Sequence, residues 1–411
     1  MCADPNTFWK ASEPNAGRRF RHALSSLLTG AVCLGICLRS TTRARAEDVL
    51  GYRHEIYQED GGRIGVQTDS VLIDTPITSW LTLKGQAVHD AISGSSPTGS
   101  PPPSKIKFVP PSFGGPTGPF SSAVPLEHLD DERYAGSFSP TLSLGPHQLT
   151  PEFSYSTEHD YISYGAALNY ALALNEKNTV LNLGASHDFD TVLPKGFLAK
   201  ASPKNTDEEL VGINQLLGPQ TVLAADFTYA NEHGYLNDQY KGVLFDNFLQ
   251  LDPADPALAP EKRPRHRDRY VTVVSLTQEV KPLHASVEGA YRFYEDSYGI
   301  LAHTLDLAWY QKVGKYVVVS PMFRYYYQTA ADFYATQFGN YRHAPTYYSA
   351  DYRLSELESF TAGLSVNWKV RSWLTIDAGY KRYIMRGLDG TTSQTAYPSA
   401  NVFTIGARLW F

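Results

Sequence analysis

Beyond Cys37 the sequence contains no cysteine; the only three are Cys2, Cys33 and Cys37. Most of the chain therefore has no disulfide framework, and its rigidity must come from elsewhere. Long apolar runs are also missing. After the N-terminal segment no run of about 18 apolar residues occurs, which excludes a membrane helix there. Basic charge is scarce, with 36 Lys and Arg against 42 Asp and Glu. An acidic chain argues against nucleic acid as a partner, because that partner needs a basic footprint. The histidines are scattered without an H-E-x-x-H or similar metal spacing, and no nucleophile elbow is present. No catalytic, cofactor or metal residue is expected. A hydrolase at an outer rim is kept only as a minor alternative.

The N-terminus carries a recognisable pattern. Arg18, Arg19 and Arg21 precede an apolar run from Ala23 to Leu38, and a polar stretch then ends in Ala44-Arg45-Ala46. These are the three regions of a secretory signal peptide, with cleavage after Ala46. The apolar run is shorter than the roughly 20 residues of a membrane helix. The expected organisation is an extension and signal peptide over 1–46 and one exported domain over 47–411. Removing residues 1–46 removes seven basic and two acidic residues, which leaves 29 against 40 and a net charge of −11.

Aromatics are plentiful, at 13% of the chain with 27 tyrosines. In the last segment Phe403, Ile405, Ala407, Leu409 and Phe411 share one parity, while Val402, Thr404, Gly406, Arg408 and Trp410 share the other. Side chains alternate faces along a strand, so one face of this segment suits lipid. A final strand ending in an aromatic residue is what outer-membrane barrel-assembly machinery reads. Similar alternation recurs upstream. Strands are expected at 51–59, 63–74, 78–92, 132–144, 147–158, 161–174, 178–190, 207–217, 220–231, 268–281, 284–297, 300–313, 315–328, 356–370, 372–386 and 401–411. That is about 16 strands, an even number as bacterial barrels require. Every long connection (93–131, 191–206, 232–267, 329–352, 387–399) falls on the same side if the chain starts in the periplasm. Short turns on one side and long loops on the other are the barrel pattern. The expected fold is all-β: a transmembrane antiparallel up-and-down barrel with long extracellular loops. The Pro-, Gly- and Ser-rich part of 93–131 could plug the pore or stay outside.

Parity assigns seven acidic and seven basic residues to the lumen: Lys84, Glu152, Asp188, Asp226, Glu279, Glu288, Arg292, Asp306, Lys312, Arg324, Lys369, Asp377, Lys381 and Arg408. A balanced set reads first as a salt-bridged network wetting the wall, and second as a selectivity site. Arg292, Asp306, Arg324 and Asp377 lie on neighbouring expected strands. Glu158-His159-Asp160 resembles a ligand group but falls in a short turn. The run Arg263–Arg269 is a basic patch, read as strand-flanking charge or as a contact for lipopolysaccharide phosphates. Tyr325, Tyr326, Tyr327, Tyr347 and Tyr348 suit an interfacial girdle.

Several stretches together resemble one bacterial family. They include His89-Asp90-Ala91-Ile92-Ser93-Gly94, Asp131-Glu132-Arg133-Tyr134 and Gly234-Tyr235-Leu236-Asn237-Asp238. Tyr291-Arg292-Phe293-Tyr294, Ala330-Ala331-Asp332-Phe333-Tyr334, Asp351 through Glu358 and Tyr397-Pro398-Ser399-Ala400-Asn401 follow. They are similar to the family catalogued as domain of unknown function 3570, over nearly all of 50–411. The resemblance implies an outer-membrane barrel without assigned activity, and envelope lipoproteins or redox proteins as partners. It supplies no site residues. The function expected is a channel or passive transport barrel, with a structural or docking barrel for an envelope redox system as the alternative.

Phe411→Asp should lower the fraction of chain inserted into the outer membrane several-fold. Membrane fractionation of expressing cells checks this, and equal insertion would refute the terminal-signal reading.

Overall fold

The computed structural model describes residues 48–102, 105, 122–194, 200–246 and 258–411. Ala44 and Ala46, the expected cleavage signal, lie outside the described residues, as does most of 103–121.

Alternation builds the wall. The strands are β1 (Val49–Glu59), β2 (Gly65–Pro76), β3 (Leu81–Pro97), β4 (Leu126–Leu144), β5 (His147–Thr157) and β6 (Tyr161–Leu174). Next come β7 (Thr179–Val192), β8 (Ser202–Gly218), β9 (Thr221–Gly234), β10 (Gly242–Val243), β11 (Ala259–Pro260) and β12 (His266–Val280). The last six are β13 (Ala285–Asp296), β14 (Leu301–Val313), β15 (Val317–Gln328), β16 (Leu357–Arg371), β17 (Leu374–Gly387) and β18 (Ser399–Trp410). All except β10 and β11 form one closed antiparallel barrel of 16 strands in chain order. β1 pairs with β18 from Val49↔Trp410 to Glu59↔Ala400. Backbone bonds between Asp48 and Phe411, 3.0 and 3.1 Å long, extend that seam by one step.

One parity of each strand faces outward and is mostly apolar, with polar pairs such as His54–Asp69 and His187–Asp207 toward the outer rim. Phe153, Phe189, Leu305, Phe403 and Ile405 are each more than half exposed. A water-soluble domain does not carry an apolar surface this extensive; a lipid-facing belt does. Aromatic residues mark its edges. Trp80, Tyr316 and Trp373 are exposed beside the short turns. Tyr155 with Tyr164, and Tyr229 with Tyr270, pack ring to ring nearer the other rim, with centroids 5.0 and 5.3 Å apart.

Every connection at the end where the chain begins and ends is short; the long connections all lie at the other end, together with the short ones at 60–64, 158–160 and 297–300. The strands are longer than their apolar pattern. β3 runs to Pro97 rather than 92, β4 starts at Leu126 rather than 132, and β8 starts at Ser202 rather than 207. Above the membrane the ladder continues between partners such as Ser93↔Asp130. There water meets both faces, so nothing enforces an apolar parity.

Lumen-facing glycines make room for lumen-facing polar side chains on the next strand. A Cβ at Gly212 would lie 2.0 Å from Asp226 Oδ1, and one at Gly406 would lie 2.7 Å from Asp377 Oδ1. Gly234 ends β9 for a different reason. Its φ is +121°, and a Cβ there would meet the Pro203 carbonyl oxygen at 2.2 Å. Gly234→Ala should cost about 1–3 kcal/mol through backbone strain. Urea unfolding in detergent, followed by tryptophan fluorescence, would show an unchanged midpoint if that strain is absent.

Candidate functional site

The outer connections fold into a cap. Val243, Phe245, Ala259, Tyr348 and Ala350 form one buried cluster, with Phe338 packed on it. Phe245 meets Tyr348 edge-on with centroids 5.1 Å apart. Tyr298, Ile300, Ala331 and Leu354 form a second cluster, and Val124, Leu357, Ala396 and Tyr397 a third. Backbone bonds tie the connections together: Gly242 N–H donates to Thr98 O, Phe338 N–H to Leu244 O, and Lys262 and Tyr348 bond reciprocally. Tyr348 therefore belongs to the cap core and not to an interfacial girdle. Tyr326 likewise departs from the girdle reading: it lines the lumen-side cavity, while Tyr325 and Tyr327 lie on the opposite parity of β15.

A buried ionic knot holds the cap above the lumen. Arg263 pairs with Glu261 at 2.7 Å and with Asp351 at 2.8 Å, all three nearly inaccessible. Arg353, half exposed, donates through Nε to Asp351 Oδ1 at 2.9 Å and also pairs with Asp238. Ser349 Oγ donates to Glu261 Oε2 at 2.6 Å. Burial by itself would raise the Asp351 pKa, but Arg353 and then Arg263 outweigh it and hold the carboxyl well below its usual range. Glu261 goes the other way, raised by burial against the pull of Arg263. Burial also lowers the pKa of Lys241, whose ammonium donates to Ser96 Oγ at 2.9 Å and to Pro97 O.

Of the arginines of the run 263–269, Arg265 stays exposed and donates to the Gly234 carbonyl, while the other three are taken up in ion pairs. Arg267 pairs with Asp296 at 2.5 Å and lies over the Tyr298 ring at 4.5 Å. Arg269 pairs with Glu232 at 3.3 Å. Spacing two apart puts Arg267 and Arg269 on the same face of β12, which the sequence shows; their carboxylate partners on other strands it does not.

Beneath the cap lies a cavity of about 710 Å³, whose walls include Tyr161, Lys204, Glu232, Arg267, Arg292 and Arg353. A second cavity of about 500 Å³ shares Arg292, Thr304, Tyr326, Gln328 and Arg353 with it and continues down to Asp306, Arg324 and Tyr383. Arg324 clasps Asp306 through two bonds of 2.5 and 3.1 Å. Asp377 pairs instead with Arg53 of β1, at 3.5 Å, across the seam side of the barrel. Glu288 accepts from the Tyr310 hydroxyl at 3.3 Å. Arg292, Lys369, Lys381 and Arg408 make no ion pair among the described residues; Arg292 lies 6.0 Å from the Tyr294 ring. Of the four charges on neighbouring expected strands, Arg324 pairs with Asp306, Arg292 lines the same cavity without an ion pair, and Asp377 pairs elsewhere. Phe403, Ile405, Leu409 and Phe411 belong to the outward parity of the last strand or to its end.

Asp131, Glu158 and Asp160 bring carboxylate oxygens within 4.8 Å of one another, so the turn at 158–160 does hold an acidic group that could take a cation. Burial and then Asp131 raise the Glu158 pKa. The Asp160 carboxylate accepts from Gln239 and Tyr240 of the cap.

A family model described as "Protein of unknown function (DUF3570)" matches residues 38–202 and 197–398. No curated protein sequence matches. Among solved structures, CdiB from Acinetobacter baumannii is similar at 10% identity and TM-score 0.49, over 90% of this chain and 61% of that one. The siderophore receptor PirA from Pseudomonas aeruginosa is similar at 11% identity and TM-score 0.43, over 89% of this chain and 62% of that one. OccK5 (OpdH) of Pseudomonas aeruginosa is similar at 8% identity and TM-score 0.41, over 89% and 98% of the two chains. The chain thus spans less than two thirds of the length of CdiB and of PirA.

Asp351→Asn should destabilise the cap by about 3–5 kcal/mol, because it leaves buried Arg263 without one of its counter-charges. New proteolytic cuts within 235–265 or 329–356, with the barrel intact on a gel, are the expected readout. A depressed carboxyl contributes stability above its unfolded pKa and loses it as pH falls through the folded value. The wild-type cap should therefore loosen only in acid below about pH 4. An Asp351→Asn protein with the wild-type cleavage pattern would sink this account.

Proposed function

We propose that this chain, which belongs to the DUF3570 family, is an outer-membrane channel for passive diffusion of small hydrophilic solutes. The observation that carries this is the pair of cavities beneath the cap, which share Arg292, Thr304, Tyr326, Gln328 and Arg353 and run from the cap into the lumen. A barrel of 16 strands has room for an aqueous path. Its lumen wall is charged and wettable while its outer belt is apolar, which is the division a water-filled pore in lipid needs. Chemistry is not required of it, and we read it as non-catalytic.

Export fits the same picture. Cleavage after Ala46 would leave Asp48 and its bonds to Phe411 intact, so the seam survives removal of the signal peptide. The barrel-assembly machinery would take up the β18 end, and lipid and lipopolysaccharide would surround the belt. The folded cap favours a second reading, in which the outer mouth is a docking platform for envelope lipoproteins or redox proteins and little diffuses through.

Single-channel recording of the purified chain in a planar bilayer separates the two. The channel reading expects stable ohmic steps. Silence from barrel shown to be folded by heat-dependent gel mobility would overturn it in favour of a closed, docking barrel.

A further inference from the structure

The lumen charges that lack ion-pair partners among the described residues are spread unevenly around the ring. Glu152 on β5, Asp188 on β7, Glu208 on β8 and Asp226 on β9 are lumen-facing carboxylates with no cation within pairing distance among the described residues. Three of them, Glu152, Asp188 and Glu208, line one cavity of about 300 Å³ that no Lys or Arg enters. Arg292 on β13, Lys312 on β14, Lys369 on β16, Lys381 on β17 and Arg408 on β18 are lumen-facing cations without a carboxylate partner among the described residues. All five are exposed to the lumen side. In the ring the acidic arc β5–β9 and the basic arc β13–β18 are separated by β12 on one side and β1–β4 on the other. The arcs therefore face each other. Glu55, Glu279 and Glu288 lie outside this division. Glu152, Asp188, Glu208, Asp226, Arg292 and Lys381 sit within the body of their strands, while Lys312, Lys369 and Arg408 are nearer the short turns.

The paired charges behave differently. Arg324 with Asp306, Lys204 with Asp190, Arg133 with Asp90 and Lys84 with Asp74 each cancel locally. What remains after cancellation is carboxylate alone over β5–β9 and an excess of cations over β13–β18, where Glu288 is the exception. The glycine notches keep part of it in place. Gly212 accommodates the Asp226 carboxylate, Gly165 that of Asp188, and Gly363 the Lys381 stem.

Unpaired charges on low-dielectric walls focus their field into the water between them. Opposite arcs give a field across the pore rather than along it. A lone cation or anion is attracted to one wall and repelled by the other. A molecule carrying both signs at its two ends gains at both walls at once.

We propose that the pore favours small zwitterions, with ammonium toward the β5–β9 arc and carboxylate toward the β13–β18 arc, over uncharged solutes of similar size. This deepens the channel reading and rests on it.

The test is swelling of neutral phosphatidylcholine vesicles containing the purified chain, with β-alanine as the zwitterion and erythritol as the uncharged control. Entry of β-alanine should exceed that of erythritol by about threefold or more at low salt, and the ratio should shrink in 0.5 M salt as screening shortens to a few ångströms. The variant Glu152→Gln/Asp188→Asn/Glu208→Gln and the variant Arg292→Gln/Lys381→Gln should each bring the ratio close to one. Their zero-current potentials in a salt gradient should shift in opposite directions. If one variant does not assemble, the other still decides. A wild-type ratio near one, or a variant that keeps the wild-type ratio, overturns the proposal while leaving the channel reading standing. Folded protein that admits neither solute overturns the channel reading itself.

Discussion

Lipid offers no hydrogen bonds to a bare peptide group, and that constraint shapes everything else in this molecule. A sheet that spans a bilayer must have no edge. Here the first strand meets the last, in register from Val49↔Trp410 to Glu59↔Ala400. Closure makes each strand dependent on both neighbours, and it lets a chain without disulfides after Cys37 hold a fixed shape. It also divides side chains into two populations, one for lipid and one for the lumen, because no third place exists within the wall.

The lumen population then faces its own difficulty. Charged groups brought within a closed ring must be paired, wetted or separated. The structure uses each solution. Arg324 and Asp306 pair on adjacent strands. Arg263, Glu261 and Asp351 are buried together under the cap, where each carboxylate has a guanidinium beside it. The rest stay open to the lumen, with lumen-facing glycines giving neighbouring side chains space to lie against the wall. The described parts of the outer connections close over this arrangement with their own apolar clusters.

Much of this was legible in the residues. The 16 strands, the side on which every long loop falls and the parity of the charged residues all follow from a period of two. Strand ends were legible only as far as the lipid. Beyond it Asp130, Asp131 and Glu132 still pair in the ladder, yet no solvent boundary imposes alternation on them. The cap was not legible. Its ionic knot joins Asp238, Glu261 and Asp351, which are far apart in sequence, and no periodicity links them. Tyr348 read as an interfacial aromatic because tyrosine serves at both kinds of boundary, and only packing against Phe245 assigns it. Parity places Asp377 on the lumen face but cannot name its partner, Arg53, because closure brings β1 to the far side of β18.

The sequence by itself determined that this chain is a closed barrel, which side chains meet lipid and which meet the lumen. Those are properties of alternate residues along one strand, and lipid enforces them locally. Which charges cancel, which remain, and how unevenly the remaining ones lie around the pore is settled only in the folded barrel. Ion pairing depends on distance between strands and connections, and that distance is set by ring closure and loop packing, not by position along the chain.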